Sequence, residues 1–96
     1  MRAVVLERPG SPTRVEDLEL RDHGPGEVVV RIAASGVCHS DLHIRDGDWE
    51  RPGPIILGHE GAGWVEAVGP GVETPRIGDL VALTWYYPCL RCRHCQ

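Results

Sequence analysis

The sequence has no lysine, no phenylalanine and no long apolar run. A membrane helix needs roughly 20 consecutive apolar residues, and a secretion signal needs an apolar core, so we predict neither and expect a cytoplasmic protein. All ten basic residues are arginines, they are scattered from Arg2 to Arg93, and the net charge is −4. Because no basic stripe results, neither nucleic acid nor a membrane is an expected partner.

A length of 96 residues allows one small domain. Glycine (12 residues) and proline (8 residues) suit a turn-rich β chain. The predicted fold is mainly β, a partly closed barrel with one short helix. The run 28–34 is apolar on both faces in its first half, which predicts a strand buried between layers. Strands are predicted over 2–7, 14–20, 27–34, 61–68 and 80–85, a helix over 38–45 and an irregular loop over 49–58.

The first reactive cluster runs from Cys38 to His43 and holds a thiol, two imidazoles, a hydroxyl and a carboxylate. On a helix, Cys38 and Asp41 share one face, and Ser40 and His43 share another, so each pair can address one neighbouring site. The alternative interpretation is a capped helix start with a buried cysteine.

The second cluster is His59 and Glu60, which lie between Gly58 and Gly61. A histidine between glycines is often only a turn residue. Together with Cys38, however, it offers the sulfur and imidazole nitrogen that favour zinc. A catalytic zinc has three protein ligands and one open position, and the sequence offers two, or three with Glu60.

The third cluster is the C-x-x-C-x-x-C run formed by Cys89, Cys92 and Cys95. A redox C-x-x-C is the competing interpretation, but such motifs open a helix in a βαβ unit, which the sequence before Cys89 does not predict. The spacing therefore favours metal. Three thiolates fill three corners of a closed tetrahedral site, so a fourth ligand is missing and we expect the sequence to be a piece of a longer one.

These clusters, in this order, resemble the zinc-dependent medium-chain alcohol dehydrogenases, specifically the N-terminal part of their GroES-like catalytic domain. The resemblance covers nearly the whole chain, 1–96. It implies a GroES-like, partly open β-barrel with a cysteine-rich zinc lobe. It also implies oxidation of a small-molecule alcohol to an aldehyde or ketone with NAD or NADP, in a homo-oligomer. The motifs that carry it are the cysteine run and the segments 36–41, 58–63, 68–72 and 78–81.

The resemblance also assigns metal ligands. Cys38 and His59 would bind a catalytic zinc, with Glu60 as an alternate or outer ligand. Asp41 would orient His59 by accepting the hydrogen of its other ring nitrogen. The structural zinc would be held by Cys89, Cys92 and Cys95.

Other residues receive roles in the same way. Ser40 matches the hydroxyl that takes the alcohol proton, and His43 matches the imidazole that passes this proton towards solvent. His39 matches a position that can contact the pyrophosphate of the cofactor. Trp49 and Trp85 match positions that line the substrate pocket, although both could simply be core aromatics.

The sequence departs from the family in one respect. The Rossmann fingerprint G-x-G-x-x-G, which binds the nicotinamide cofactor, is absent, and 61–66 only begins like it because Glu66 replaces the last glycine. We therefore expect no turnover from the chain alone. Two alternatives stay open: a stand-alone zinc-binding or thiol module, and a co-chaperonin-like ring subunit with the same barrel.

Overall fold

A computed structural model describes residues 1–89 and 91–95. These residues form two three-stranded antiparallel sheets and one helix. The predicted mainly β fold with one short helix is confirmed, and its sheets are open. In the described residues no helix is long and apolar enough to cross a lipid bilayer. The elements are β1 (Arg2–Leu6), β2 (Arg14–Asp17), β3 (Val28–Ser35), α1 (His39–Asp46), β4 (Ile55–Ile56), β5 (Gly61–Val68) and β6 (Leu80–Ala82). The strand order is β2-β1-β4 in the first sheet and β3-β5-β6 in the second.

The first sheet contains a strand that the sequence did not predict. Residues 49–58 were expected to be wholly irregular, but Ile55 and Ile56 pair with Leu6 and Val5 of β1. The reason is that the prolines precede this pair, so both isoleucines keep their backbone N–H groups for the ladder. The edge strand β4 is therefore only two residues long.

The second sheet overturns one burial prediction. The run 28–34 was expected to be buried between layers, but 28–30 are half-buried and 31–35 are exposed. The cause is that β3, the edge strand of its sheet, packs extensively against β5 alone among the described elements, so no second layer covers its faces. The apolar residues of this run are therefore only partly covered, at 28–30.

Other element ends also differ from the prediction, by one residue in β1 and β3 and by more in β2 and β6. β2 ends at Asp17 rather than Leu20, and β6 ends at Ala82 rather than Trp85. The helix is shifted by one residue: Cys38 is its N-cap and Gly47, with φ of 87°, caps its C-terminus. Glycine suits this left-handed position because it has no Cβ.

The buried apolar core of the described chain is small and consists of Val5, Leu6 and Val65. Two backbone hydrogen bonds then tie the segment after β4 to the sheets. The amide of Leu57 donates to Val4 (3.1 Å), and the amide of Gly36 donates to Glu60 (3.1 Å). This segment is thereby held against the N-terminus of α1, where the first two reactive clusters meet.

Candidate active site and cysteine lobe

The buried side chain of Asp41 holds the helix and the His59 loop together by hydrogen bonds. It is the one buried polar side chain in the described residues, with 7% of its surface exposed. One carboxylate oxygen accepts the Cys38 amide (3.1 Å). The other accepts the Gly58 amide (3.3 Å) and the Nδ1–H of His59 (3.2 Å). A single carboxylate therefore caps the helix and joins it to the loop that carries His59.

The donor atoms of Cys38, His59 and Glu60 lie within 4.8 Å of one another. Ligand atoms that share a tetrahedral zinc are about 3.3–3.8 Å apart, a difference that side-chain rotation can close. The Glu60 carboxylate lies over Gly36, where a Cβ would collide with it. Two residues predicted as ligands from distant parts of the sequence thus come together, with Glu60 beside them.

The site favours the ionised form of its thiol. Hydrogen bonds from the hydroxyl of Ser40, then from its amide, then from the His59 ring lower the pKa of the Cys38 thiol. The same contact with Cys38, followed by the charge of Asp41, raises the pKa of His59. Thiolate is the form of cysteine that binds metal.

A cavity of about 480 Å³ opens beside this cluster. Ser40 and His59 line one part of it, and the Ser40 hydroxyl lies 3.4 Å from His59 Nε2. Trp49 and Trp85 line it as well, so the structure brings the two predicted pocket tryptophans to one cavity. The remaining wall is mostly aliphatic, made by Ile44, Ile55, Ile56 and Leu57, with Arg51 as the one cation among the described lining residues.

The two histidines of the helix, His39 and His43, do not line this cavity. The ring of His39 is exposed and meets the edge of the His43 ring, with centroids 4.8 Å apart. Nδ1 of His43 lies 2.8 Å from Oδ2 of Asp48. In the part of the chain that the structure describes, no hydrogen bond joins His43 to Ser40.

Asp48 is the site residue that the sequence reasoning missed. Its signal was present, because Gly47 is a helix-ending glycine and the residue after such a glycine folds back onto the last helical turn. Reading that motif would have placed Asp48 beside His43.

The cysteine lobe, made of Cys89, Cys92 and Cys95, forms a separate cluster of metal-donor atoms. Cys95 Sγ lies 3.5 Å from Cys92 Sγ and 3.8 Å from Cys89 Sγ. Two thiolates on one tetrahedral zinc are separated by about 3.8 Å, so the three sulfurs have the spacing of a shared ion. Amide hydrogen bonds from Arg91 and Cys92, then contacts with the other two thiols, lower the pKa of Cys89 to about 7.

This shift predicts selective alkylation of the metal-free chain. With a pKa of about 7, Cys89 is about half thiolate at pH 7, whereas a thiol at the ordinary value of 9.0 is about one-hundredth ionised. Iodoacetamide at pH 7 should therefore modify Cys89 well before the cysteine of an unstructured reference peptide, as read by peptide mass spectrometry. Its rate should rise with pH up to about 8 and then level off. Added zinc should suppress the reaction, and equal labelling of Cys89 and the reference peptide would contradict the prediction.

Fold and site together define a small β domain with two clusters of zinc-type donors. The family model of the alcohol dehydrogenase GroES-like domain matches residues 24–96. The chain belongs to this family.

Relatives and solved structures agree with this assignment. The chain is 46% identical over 98 residues to an alcohol dehydrogenase of Moraxella sp. strain TAE123, covering 99% of this chain and 29% of the relative. It superposes on benzyl alcohol dehydrogenase from Acinetobacter calcoaceticus with a TM-score of 0.90 and 39% identity, covering 98% of this chain and 26% of that one. It also matches zinc dependent alcohol dehydrogenase 2 from Streptococcus pneumonia, with a TM-score of 0.88 and 35% identity, over 99% and 28% of the respective chains. The chain thus spans less than a third of the length of these relatives.

Proposed function

We propose that residues 1–96 are the N-terminal part of the catalytic domain of a zinc-dependent alcohol dehydrogenase, and that they supply part of its active site. The reaction is the interconversion of an alcohol and an aldehyde or ketone, with hydride transfer to or from NAD or NADP. The observation that carries the proposal is the meeting of Cys38, His59 and Glu60 beside a cavity, with Asp41 fixing the imidazole.

The donor set fits a catalytic zinc. A carboxylate accepts a hydrogen from Nδ1 of His59, so Nε2 keeps its lone pair for a metal. Cys38 supplies a thiol with a lowered pKa, and Glu60 supplies an oxygen. Zinc bound there acts as a Lewis acid on the substrate oxygen. Cys89, Cys92 and Cys95 are proposed to hold a structural zinc.

The residues of this chain are proposed to handle the proton of the alcohol. Ser40 lines the cavity beside His59. There its hydroxyl can accept the proton of the alcohol while it gives up its own hydroxyl proton. No hydrogen bond joins Ser40 to His43 in the described residues, so a bridging water would carry the proton between them. His43, whose side chain is 37% exposed, would then release a proton to solvent. His39 is exposed next to it and would face the pyrophosphate of the cofactor.

The cavity wall supports a substrate with an apolar body. Aliphatic side chains and the indoles of Trp49 and Trp85 make most of the lining. Such a wall favours apolar or aromatic alcohols over polyols, since the hydroxyls of a polyol would lose their water without finding partners.

The nicotinamide cofactor is proposed to bind on a Rossmann domain outside residues 1–96, since these residues contain no G-x-G-x-x-G. The chain alone should therefore give no sustained reduction of NAD or NADP with a panel of alcohols. The homo-oligomer and the cytoplasmic location stay predictions. The two alternative functions gain no support from the site, because neither requires Asp41 to orient His59 beside Cys38.

The proposal can be tested by grafting residues 1–96 in place of the matching segment of the Moraxella enzyme. In this chimera Ser40→Ala should lower kcat by roughly 10²- to 10⁴-fold, the range for a lost proton-transfer group, while zinc content is unchanged. Ser35→Ala is the matched control, because that hydroxyl is exposed and bonds only to the Gly36 carbonyl among the described residues. An active chimera that is insensitive to Ser40→Ala would overturn the assigned role.

A further inference from the structure

The segment after α1 encloses the ring of His43. The helix ends in a Schellman motif, in which the Gly47 amide donates to Ile44 (3.3 Å) and the Asp48 amide donates to the His43 carbonyl (2.9 Å). The Trp49 amide also donates to the His43 carbonyl (3.2 Å). The backbone of Asp48 and Trp49 is therefore anchored to the residue whose ring their side chains contact.

Three side chains then surround the imidazole. The Asp48 carboxylate lies 2.8 Å from Nδ1. The indole of Trp49 stacks on the ring face, with centroids 5.2 Å apart and planes 24° apart. The His39 ring meets it at 66°. In the described residues Asp48 is the hydrogen-bond partner of this imidazole.

We propose that Asp48 is a positioning residue that holds His43 in the tautomer with hydrogen on Nδ1, while Trp49 fixes the plane of the ring. A carboxylate can only accept a hydrogen bond, so Nδ1 must donate, and in the neutral ring Nε2 then has the free lone pair. Nε2 would take up a proton to give an imidazolium that keeps its Nδ1–H on Asp48, and would release the same proton to water. The relay role rests on the proposed function, whereas the tautomer does not.

The tautomer can be measured on the chain itself by long-range ¹H–¹⁵N correlation of the imidazoles at about pH 8.5, about two pH units above the ordinary imidazole pKa of about 6.5. The His43 signals are assigned as those that disappear in His43→Gln. We expect the Nδ1–H form in the wild type. Asp48→Ala should convert His43 to the Nε2–H form that unconstrained imidazole prefers.

Asp46→Ala is the matched control. It also removes a carboxylate near the end of α1, but that carboxylate pairs with Arg45 (2.7 and 3.0 Å), so the His43 tautomer should not change. Backbone amide spectra show whether each variant keeps its fold. An Nε2–H form in the wild type, or an unchanged tautomer in folded Asp48→Ala, would overturn the proposal.

The link to activity is tested separately in the grafted enzyme. There Asp48→Ala should lower kcat by about 10-fold or more, with zinc content unchanged and Asp46→Ala near wild type. Unaltered kcat in Asp48→Ala would overturn the relay role of this pair. A zinc-loaded graft without any turnover would count against the proposed function and not against the tautomer, which is read from the isolated chain.

Discussion

Under the proposed function, which gives each chain two zinc ions, Cys92→Ser is expected to remove one of them. Its sulfur lies 3.5 Å from that of Cys95, in a cluster where each thiolate supplies one of the few available ligands. A serine hydroxyl is a poor zinc ligand, so the lobe should release its metal. Elemental analysis after exhaustive dialysis should give about one zinc per chain instead of about two. Cys38→Ser should remove the other ion by the same reasoning.

The pattern across the two variants separates the sites. Retention of both ions in Cys92→Ser would refute the structural zinc, and retention in Cys38→Ser would refute the catalytic one. His94→Ala is the matched control within the lobe. Its side chain is exposed and lies outside the described donor cluster, so both ions should remain.

Asp41→Asn is expected to weaken both the fold and the metal site. An amide has one acceptor oxygen where the carboxylate has two, so the N–H of Cys38, or those of Gly58 and His59, would face an NH₂ group in a buried place. An unsatisfied buried polar group costs about 1–3 kcal/mol, which lowers the Tm of a domain of this size by about 4–24 °C. Loss of the His59 partner should weaken zinc binding at this site by roughly 10- to 100-fold.

Thermal unfolding and competition with a zinc chelator measure these two effects. Asp46→Asn, on the exposed side of the same helix, should change the stability by less than about 0.5 kcal/mol. Equal Tm values for Asp41→Asn and Asp46→Asn would show that the buried carboxylate does not join the helix to the His59 loop.

The sequence predicted those parts of the fold in which local chemistry decides the structure. The helix begins within one residue of the expected start because Cys38 and Asp41 cap it, and β5 has the predicted bounds. β4 and the exposure of β3 depend on which strand becomes a neighbour, and that is a long-range property. A run of valines looks the same on a covered face and on a half-covered one.

The site shows the same division. The residues proposed as zinc ligands could be selected from the sequence because few other structures need cysteine and histidine at these spacings. The contact between Asp48 and His43 could not be predicted in this way, because it arises from the helix-ending turn rather than from the spacing of reactive residues. Likewise, the cavity wall combines residues that follow β3 with residues around β4, and only the three-dimensional fold brings them together.

Trp49 belongs to two structures at once, since its indole both lines the cavity and stacks on His43. Trp85 also lines the cavity, but in the described residues its aromatic neighbour is Tyr86 rather than His43. Under the proposed function, the two tryptophans therefore differ as positions for changing substrate range. Shortening Trp85 makes room for bulkier alcohols and leaves the proton path intact, whereas shortening Trp49 makes room and slows turnover. An enzyme under selection for larger alcohols would therefore be expected to change Trp85 before Trp49.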